Sequence, residues 1–294
     1  MTCYDDLMDL GNGTPSSPHP SATVLMVRDA SAGLEVFMLE RHGLSDVLGG
    51  AYVFPGGKLD RADAELGGML DQPPSALRIA LGEPALHESH AAALYVAAIR
   101  EAFEESGVLF ADIGQDGLLA AQALHRAGRH FREVVEGLGV PLAASSLLPW
   151  SRWVTPRNSV RARKHFDARF FVAAVPRGQV PAHDQHETTE SVWLAPAGVL
   201  REFWEGRIQL APPQIMSLAH LARLADVAAV VADARSRKPP RIQPEVFDEG
   251  GVNRLCFPGD PRHSVAEGLL PGLTRLSWRN DRYEPEGGIE VLLA

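Results

Sequence analysis

The stretch IREAFEESGV, Ile99–Val108, places three glutamates within five positions just ahead of a glycine. The preceding AALYVAA has the small apolar character of a buried helix, so Glu101, Glu104 and Glu105 are expected in its last turns. At 3.6 residues per turn their side chains share an arc of about 100°. Like charges at i,i+3 and i,i+4 repel by roughly 0.2–0.5 kcal/mol per pair, and the negative end of the helix dipole adds to that penalty. A helix shaped by stability alone would carry Lys or Arg there. A divalent cation offsets the repulsion, and clustered hard oxygens that leave room for water and phosphate suit Mg²⁺ or Mn²⁺. Arg100, four residues before Glu104, is placed to pair with that carboxylate and steady it. For an isolated E-x-x-E-E the plainer alternative is a solvated acidic face.

Upstream, AYVF reads as a short strand running into Pro55-Gly56-Gly57 and then KLD. Two glycines after a strand allow a sharp turn and a close backbone approach to a metal or phosphate. With this second half in place, the chain resembles the nudix hydrolase family, whose box reads G-x5-E-x7-R-E-U-x-E-E-x-G-U, where U is aliphatic. The match runs from Arg100 to Val108, with Ala102 as a small U residue, and its first half starts at Gly57. Asp63 stands where the box has glutamate, and 37 positions separate it from Arg100 where the box has eight, so about 29 residues are inserted. With VFPGGKLD and HFDARFFVAAVP, this insertion resembles the branch that contains the mammalian peroxisomal coenzyme A diphosphatase.

The resemblance covers roughly residues 22 to 235. It implies an α/β/α sandwich built on a mixed sheet, and a metal-dependent hydrolase of diphosphate linkages. Carried over by position, it makes Glu101 and Glu105 the main metal ligands and Glu104 a third ligand or the base that positions water. Arg100 becomes the brace of the carboxylates, and the Gly57 region supplies a carbonyl or close approach to the metal. A further glutamate from a distant loop often serves as base in the family; HETTESVW offers Glu187 and Glu190, of which Glu187 is preferred. The implied substrate is coenzyme A or an acyl-coenzyme A, cut to 3′,5′-ADP and (acyl-)4′-phosphopantetheine. Alternatives within the family are ADP-ribose, a nucleotide sugar or NADH. An alternative of another class is a non-catalytic, nudix-like sensor that binds a nucleotide.

Composition narrows the partners. The chain has 294 residues with 28 Lys and Arg against 37 Asp and Glu, so a phosphate-tracking nucleic-acid binder is not expected. Only Cys3 and Cys256 occur, which excludes a disulfide framework and fits a reducing compartment. No apolar run approaches the roughly 18–20 residues of a membrane span. The N-terminus is acidic where a signal peptide would be basic, and VLLA is not a peroxisomal address, so a cytoplasmic protein is expected. Homodimerisation is left open.

Along the chain, residues 1–20 end in a polar Pro/Ser/Gly segment and are expected to form a flexible arm. Strands are expected at Ala22–Asp29 and Leu34–His42, at WSRWVTP, His165–Pro176 and ESVWLAP. The main domain spans about 21–235, with the insertion at about 64–89 read as peripheral, carrying a short helix at SALRIALG and forming a lid or rim near the site. Helices are expected at about His90–Ser106, twice within residues 117–139, near Ala197–Glu205, and as one long run after Pro212-Pro213. Residues 236–294 shift to short strands with many Pro and Gly, as a C-terminal extension or small subdomain.

In an otherwise acidic chain, SRWVTPRNSVRARKHF gathers Arg152, Arg157, Arg161, Arg163 and Lys164. Such a loop could grip a 3′-phosphate or diphosphate through charge-assisted bonds, with a solvated basic loop as the alternative. Arg41, ending the second strand, is a further phosphate candidate. The pairs His87/His90 and His183/His186 lack the spacing of a zinc site and read as surface histidines. Trp150, Trp153, Phe170 and Phe171 could stack on a base but are expected mostly in the core.

Overall fold

The three longest strands carry almost unbroken apolar runs, the signature of strands buried on both faces. The computed structural model, which describes residues 18–41, 51–156, 164–182, 188–269, 275–279 and 282–294, places them at the centre of one sheet. They are β1 (His19–Ala30), β2 (Gly33–Arg41) and β6 (Phe166–Ala174). Around them lie β3 (Tyr52–Val53), β4 (Gly56–Lys58), β5 (Leu148–Val154), β7 (Thr188–Leu194) and β8 (Arg241–Ile242). Among the described residues the order is β3-β2-β1-β6-β5-β8, with β4 on the first part of β1 and β7 on β2. β1 runs parallel to β6 and β5 parallel to β8, while the other pairs are antiparallel, so the sheet is mixed.

Side chains alternate across these strands with period two. Ala22, Val24, Phe37, Leu39, Phe171 and Ala173 enter one core, beneath α3 (Glu88–Ser106), α4 (Gln115–Arg126) and α5 (Phe131–Leu138). Leu25, Val27, Val36, Met38, Phe170 and Val172 enter the other, with α6 (Pro196–Trp204), α7 (Pro212–Leu221) and α8 (Val227–Ser236). The expected α/β/α sandwich is therefore the architecture found. Trp150 and Trp153 lie in the second core, as expected of large aromatic residues.

α3 positions the site. His87 caps its start by accepting from the Ser89 amide, and Gly107 ends it with φ +72°, a left-handed turn suited to glycine. The Gly107 N–H closes the helix on the Phe103 carbonyl at 2.8 Å.

Several elements depart from expectation. β1 starts at His19 instead of Ala22, because the His19 amide is already bonded to the His165 carbonyl at 2.8 Å. The run after Pro212 is two helices, since Asp226 accepts from the Ala229 amide at 2.8 Å and starts a new helix. The insertion, expected to be peripheral, folds as α1 (Arg61–Glu65), a 3-10 turn at Gly67–Met69 and α2 (Pro74–Leu81). Its Leu66, Leu77 and Leu81 belong to the α3-side core. Further on, β9 (Glu245–Glu249), β10 (Val252–Cys256), β11 (Arg275–Arg279) and β12 (Arg282–Pro285) form an antiparallel sheet, followed by α9 (Glu290–Leu293). Leu255, Phe257, Leu276 and Leu292 bury against the second core.

Because Leu77 is only 3% exposed, Leu77→Ala is expected to lower the unfolding free energy by about 2–5 kcal/mol. Urea denaturation followed by circular dichroism measures this; a loss below about 0.5 kcal/mol would return the insertion to the periphery.

Candidate active site

The last two turns of α3 lie over β4, and two glycines make that approach close. A Cβ on Gly57 would stand 2.3 Å from Glu101 Oε1, so any side chain there would push the carboxylate away. The Gly56 amide donates to Glu105 Oε2 at 2.9 Å. A Cβ on Gly56 would meet the Ala22 carbonyl oxygen of β1 at 2.6 Å. Both glycines are therefore required by contact distance.

Arg100 ties the site together. Its Nε donates to Asp63 Oδ1 at 2.8 Å and its Nη2 to Asp63 Oδ2 at 3.0 Å, a two-pronged pairing. Nη2 also donates to the Lys58 carbonyl at 2.9 Å. Nη1 reaches Glu101 Oε1 at 2.7 Å and Glu104 Oε2 at 3.1 Å, the latter being the expected i,i+4 pair. Asp63, 1% exposed, also accepts the Asp60 amide at 2.7 Å and completes a capping box at the start of α1. The residue that departs from the family box thus holds the arginine and starts the insertion's first helix. Sequence reasoning left its role undecided, although Asp60-x-x-Asp63 is a readable cap signal.

Burial opposes the charge on Arg100, but its hydrogen bonds to Asp63 and the charges of Glu101, Asp63 and Glu104 outweigh it and raise its pKa. Burial pushes the Glu101 carboxyl up to about 7, with Glu104 and Asp63 adding to the rise and Arg100 opposing it. Glu105 is buried at 6% exposure, whereas the Glu104 side chain is 32% exposed.

A hard divalent cation fits this donor chemistry: carboxylate oxygens share one helix face, and among the described residues Arg100 is the one cation shown bonded to Glu101 and Glu104 together, leaving negative charge in excess. Among the described residues no three acidic, histidine or cysteine side chains converge on a common point, and Arg100 holds Glu101 and Glu104. Glu101, Glu104 and Glu105 are the side chains that would hold such an ion.

Of the other expected site residues, Arg157, Arg161, Arg163 and Glu187 lie outside the described residues, as do His183 and His186. The backbone of Arg41 ends β2 opposite Thr188. Glu190 lies on β7 and accepts from the Tyr52 hydroxyl at 3.3 Å; burial first, then the charges of Glu190 and Glu40, push that phenol up to about 12. Arg152, grouped by sequence with the basic loop, is instead engaged on β5: it grips Asp167 at 2.8 and 2.6 Å and reaches Glu83 at 2.6 Å. Cys256 is buried, and burial first, then Asp260 and Glu245, push its thiol up to about 11, which does not suit a nucleophile.

This geometry agrees with what the chain is similar to. A family model described as the NUDT19 Nudix domain matches residues 79–221. A crystal structure of a NUDIX hydrolase from Alicyclobacillus acidocaldarius superposes with a TM-score of 0.61 at 23% identity, covering 77% of this chain and 99% of that one, which supports the fold. The chain is therefore similar to nudix hydrolases in sequence and in fold. Among the relatives it matches are the acyl-coenzyme A diphosphatases NUDT19, at 27% identity to the protein of Gallus gallus and 26% to that of Homo sapiens. Those matches cover 66% and 73% of this chain but only 62% and 64% of the relatives' own lengths. A Caenorhabditis elegans protein named as a nudix hydrolase is 28% identical over 82% of this chain and 74% of its own length.

Asp63→Ala leaves the buried guanidinium without its two-pronged partner. It is expected to cost about 3 kcal/mol of stability in urea denaturation and to weaken Mn²⁺ binding in a calorimetric titration. Unchanged values in both measurements would remove Asp63 from the brace.

Proposed function

We propose that the protein is a Mg²⁺- or Mn²⁺-dependent diphosphatase that hydrolyses coenzyme A or an acyl-coenzyme A to 3′,5′-ADP and (acyl-)4′-phosphopantetheine. The observation that carries this reading is the cluster of Glu101, Glu104 and Glu105 on the α3 face above Gly56 and Gly57, braced by Arg100. The substrate class is supported by the resemblance to NUDT19 proteins named as acyl-coenzyme A diphosphatases.

The chemistry follows from charge. A diphosphate repels an incoming nucleophile, and a divalent ion, when bound, supplies neutralising charge and a more acidic water. Glu101, whose side chain is 13% exposed, and the buried Glu105 are the main ligands, kept in place by Arg100 and by the Gly56 amide respectively. Glu104 is the most solvent-exposed of the three and takes the proton from the attacking water. Water adds to one phosphorus, the P–O–P bridge breaks, and the departing phosphate carries the bridging oxygen. Arg100 keeps the carboxylates aligned throughout, so little reorganisation is needed during the reaction. Arg41, Arg157, Arg161 and Arg163 are proposed to contact substrate phosphates, and Glu187 is a second candidate for the base.

The test offers coenzyme A, acetyl-coenzyme A, ADP-ribose, a nucleotide sugar and NADH with Mg²⁺ or Mn²⁺ and identifies products by mass. Coenzyme A esters are expected to give 3′,5′-ADP; much faster turnover of ADP-ribose would overturn the substrate assignment. Glu105→Gln is expected to cut metal-dependent hydrolysis at least about a hundredfold, or about 2.7 kcal/mol, with an unchanged circular dichroism spectrum. Full activity in that variant would remove the metal site proposed at Glu105.

A further inference from the structure

A cleft of about 550 Å³ opens beside α3 and is walled on one side by the insertion. Its apolar lining includes Leu59, Leu94, Leu81, Pro84 and Leu86, the last three from the insertion. The volume lies within the range of small-molecule sites. Leu94 precedes Glu101 by seven residues, hence about 10 Å along the helix axis and within about 20° of the same face. Leu59 follows directly after β4, whose Gly57 touches Glu101. The cleft and the carboxylates therefore share one helix face and one bordering strand.

The charged side of the cleft is largely balanced within itself. Glu83 accepts from Arg169 at 3.0 and 2.7 Å and from Arg152 at 2.6 Å. Arg152 in turn holds Asp167 at 2.8 and 2.6 Å. Two guanidiniums thus meet two carboxylates, and Arg241 at the margin donates to Gln243 at 2.8 Å. With Arg152 and Arg169 so paired, the charge in excess is that of Arg241, exposed at the margin, and the interior offers a strongly anionic group little gain. Among the described residues no Phe, Tyr or Trp lines the cleft, and His90 is the one aromatic ring there that could meet a nucleobase. The lining instead suits a neutral, flexible chain of alkyl and amide groups, with leucines and prolines for the alkyl parts and the polar network for the amides.

Resting on the coenzyme A reading above, we propose that this cleft binds the pantetheine arm of the substrate and that the insertion supplies the wall that selects it. Three peptide-like units reach about 10 Å when extended, which spans the distance from a diphosphate held at Glu101. Glu83, gripped by Arg152 and Arg169, fixes that wall against the sheet and is a positioning residue.

The test is calorimetric binding of 4′-phosphopantetheine and of 3′,5′-ADP, each with Mg²⁺, to the wild type and to two cleft-filling variants. Leu86→Trp is expected to weaken 4′-phosphopantetheine at least tenfold while the affinity for 3′,5′-ADP changes less than twofold. Ala85→Trp, at an exposed position on the same wall, gives the same pattern should the first variant fold poorly. Equal affinities in wild type and variants, or a loss confined to 3′,5′-ADP, would overturn the assignment of the cleft and leave the diphosphatase reading intact. A wild type that binds neither product and hydrolyses no coenzyme A would overturn both.

Discussion

The guanidinium of Arg100 is the junction on which the site depends. It joins the β4 carbonyl of Lys58, the first helix of the insertion through Asp63, and two carboxylates of its own helix. A planar group with five N–H donors can serve these partners at once; a lysine ammonium presents three donors in a different geometry. Only 14% of the side chain is exposed, so each bond acts in a medium where an unmade one would be expensive. The like-charged glutamates stay together because this cation sits among them, and their position on β4 follows from glycines that lack a side chain to interfere.

Much of this was legible in the sequence, and the reasons lie in particular residues. α3 could be read from its apolar run, its end from Gly107, and the Arg100–Glu104 pair from four-residue spacing. The central strands announced themselves by continuous apolar runs, and the burial of Trp150 and Trp153 followed from residue type. What escaped were relations between distant segments. Arg152 sits in a basic run, yet its partners are fixed by the β5–β6 register, which brings Asp167 within reach. Leu77 and Leu81, spaced by four, marked an apolar stripe that the surrounding glycines and prolines obscured. The partnership of Asp63 with Arg100 spans an insertion that local pattern cannot cross.

Both ends of that insertion are anchored by ion pairs made to different layers of the sandwich. Asp63 is held from the helix layer by Arg100, and Glu83 from the sheet by Arg152 and Arg169. Closing a flexible loop grows dearer only with the logarithm of its length, by roughly 0.6 kcal/mol per doubling. With both anchor points kept, the turns that join the insertion's helices can lengthen or shorten at small thermodynamic cost, provided that Leu66, Leu77 and Leu81 keep their places in the core. The carboxylates that Arg100 aligns then stay in register.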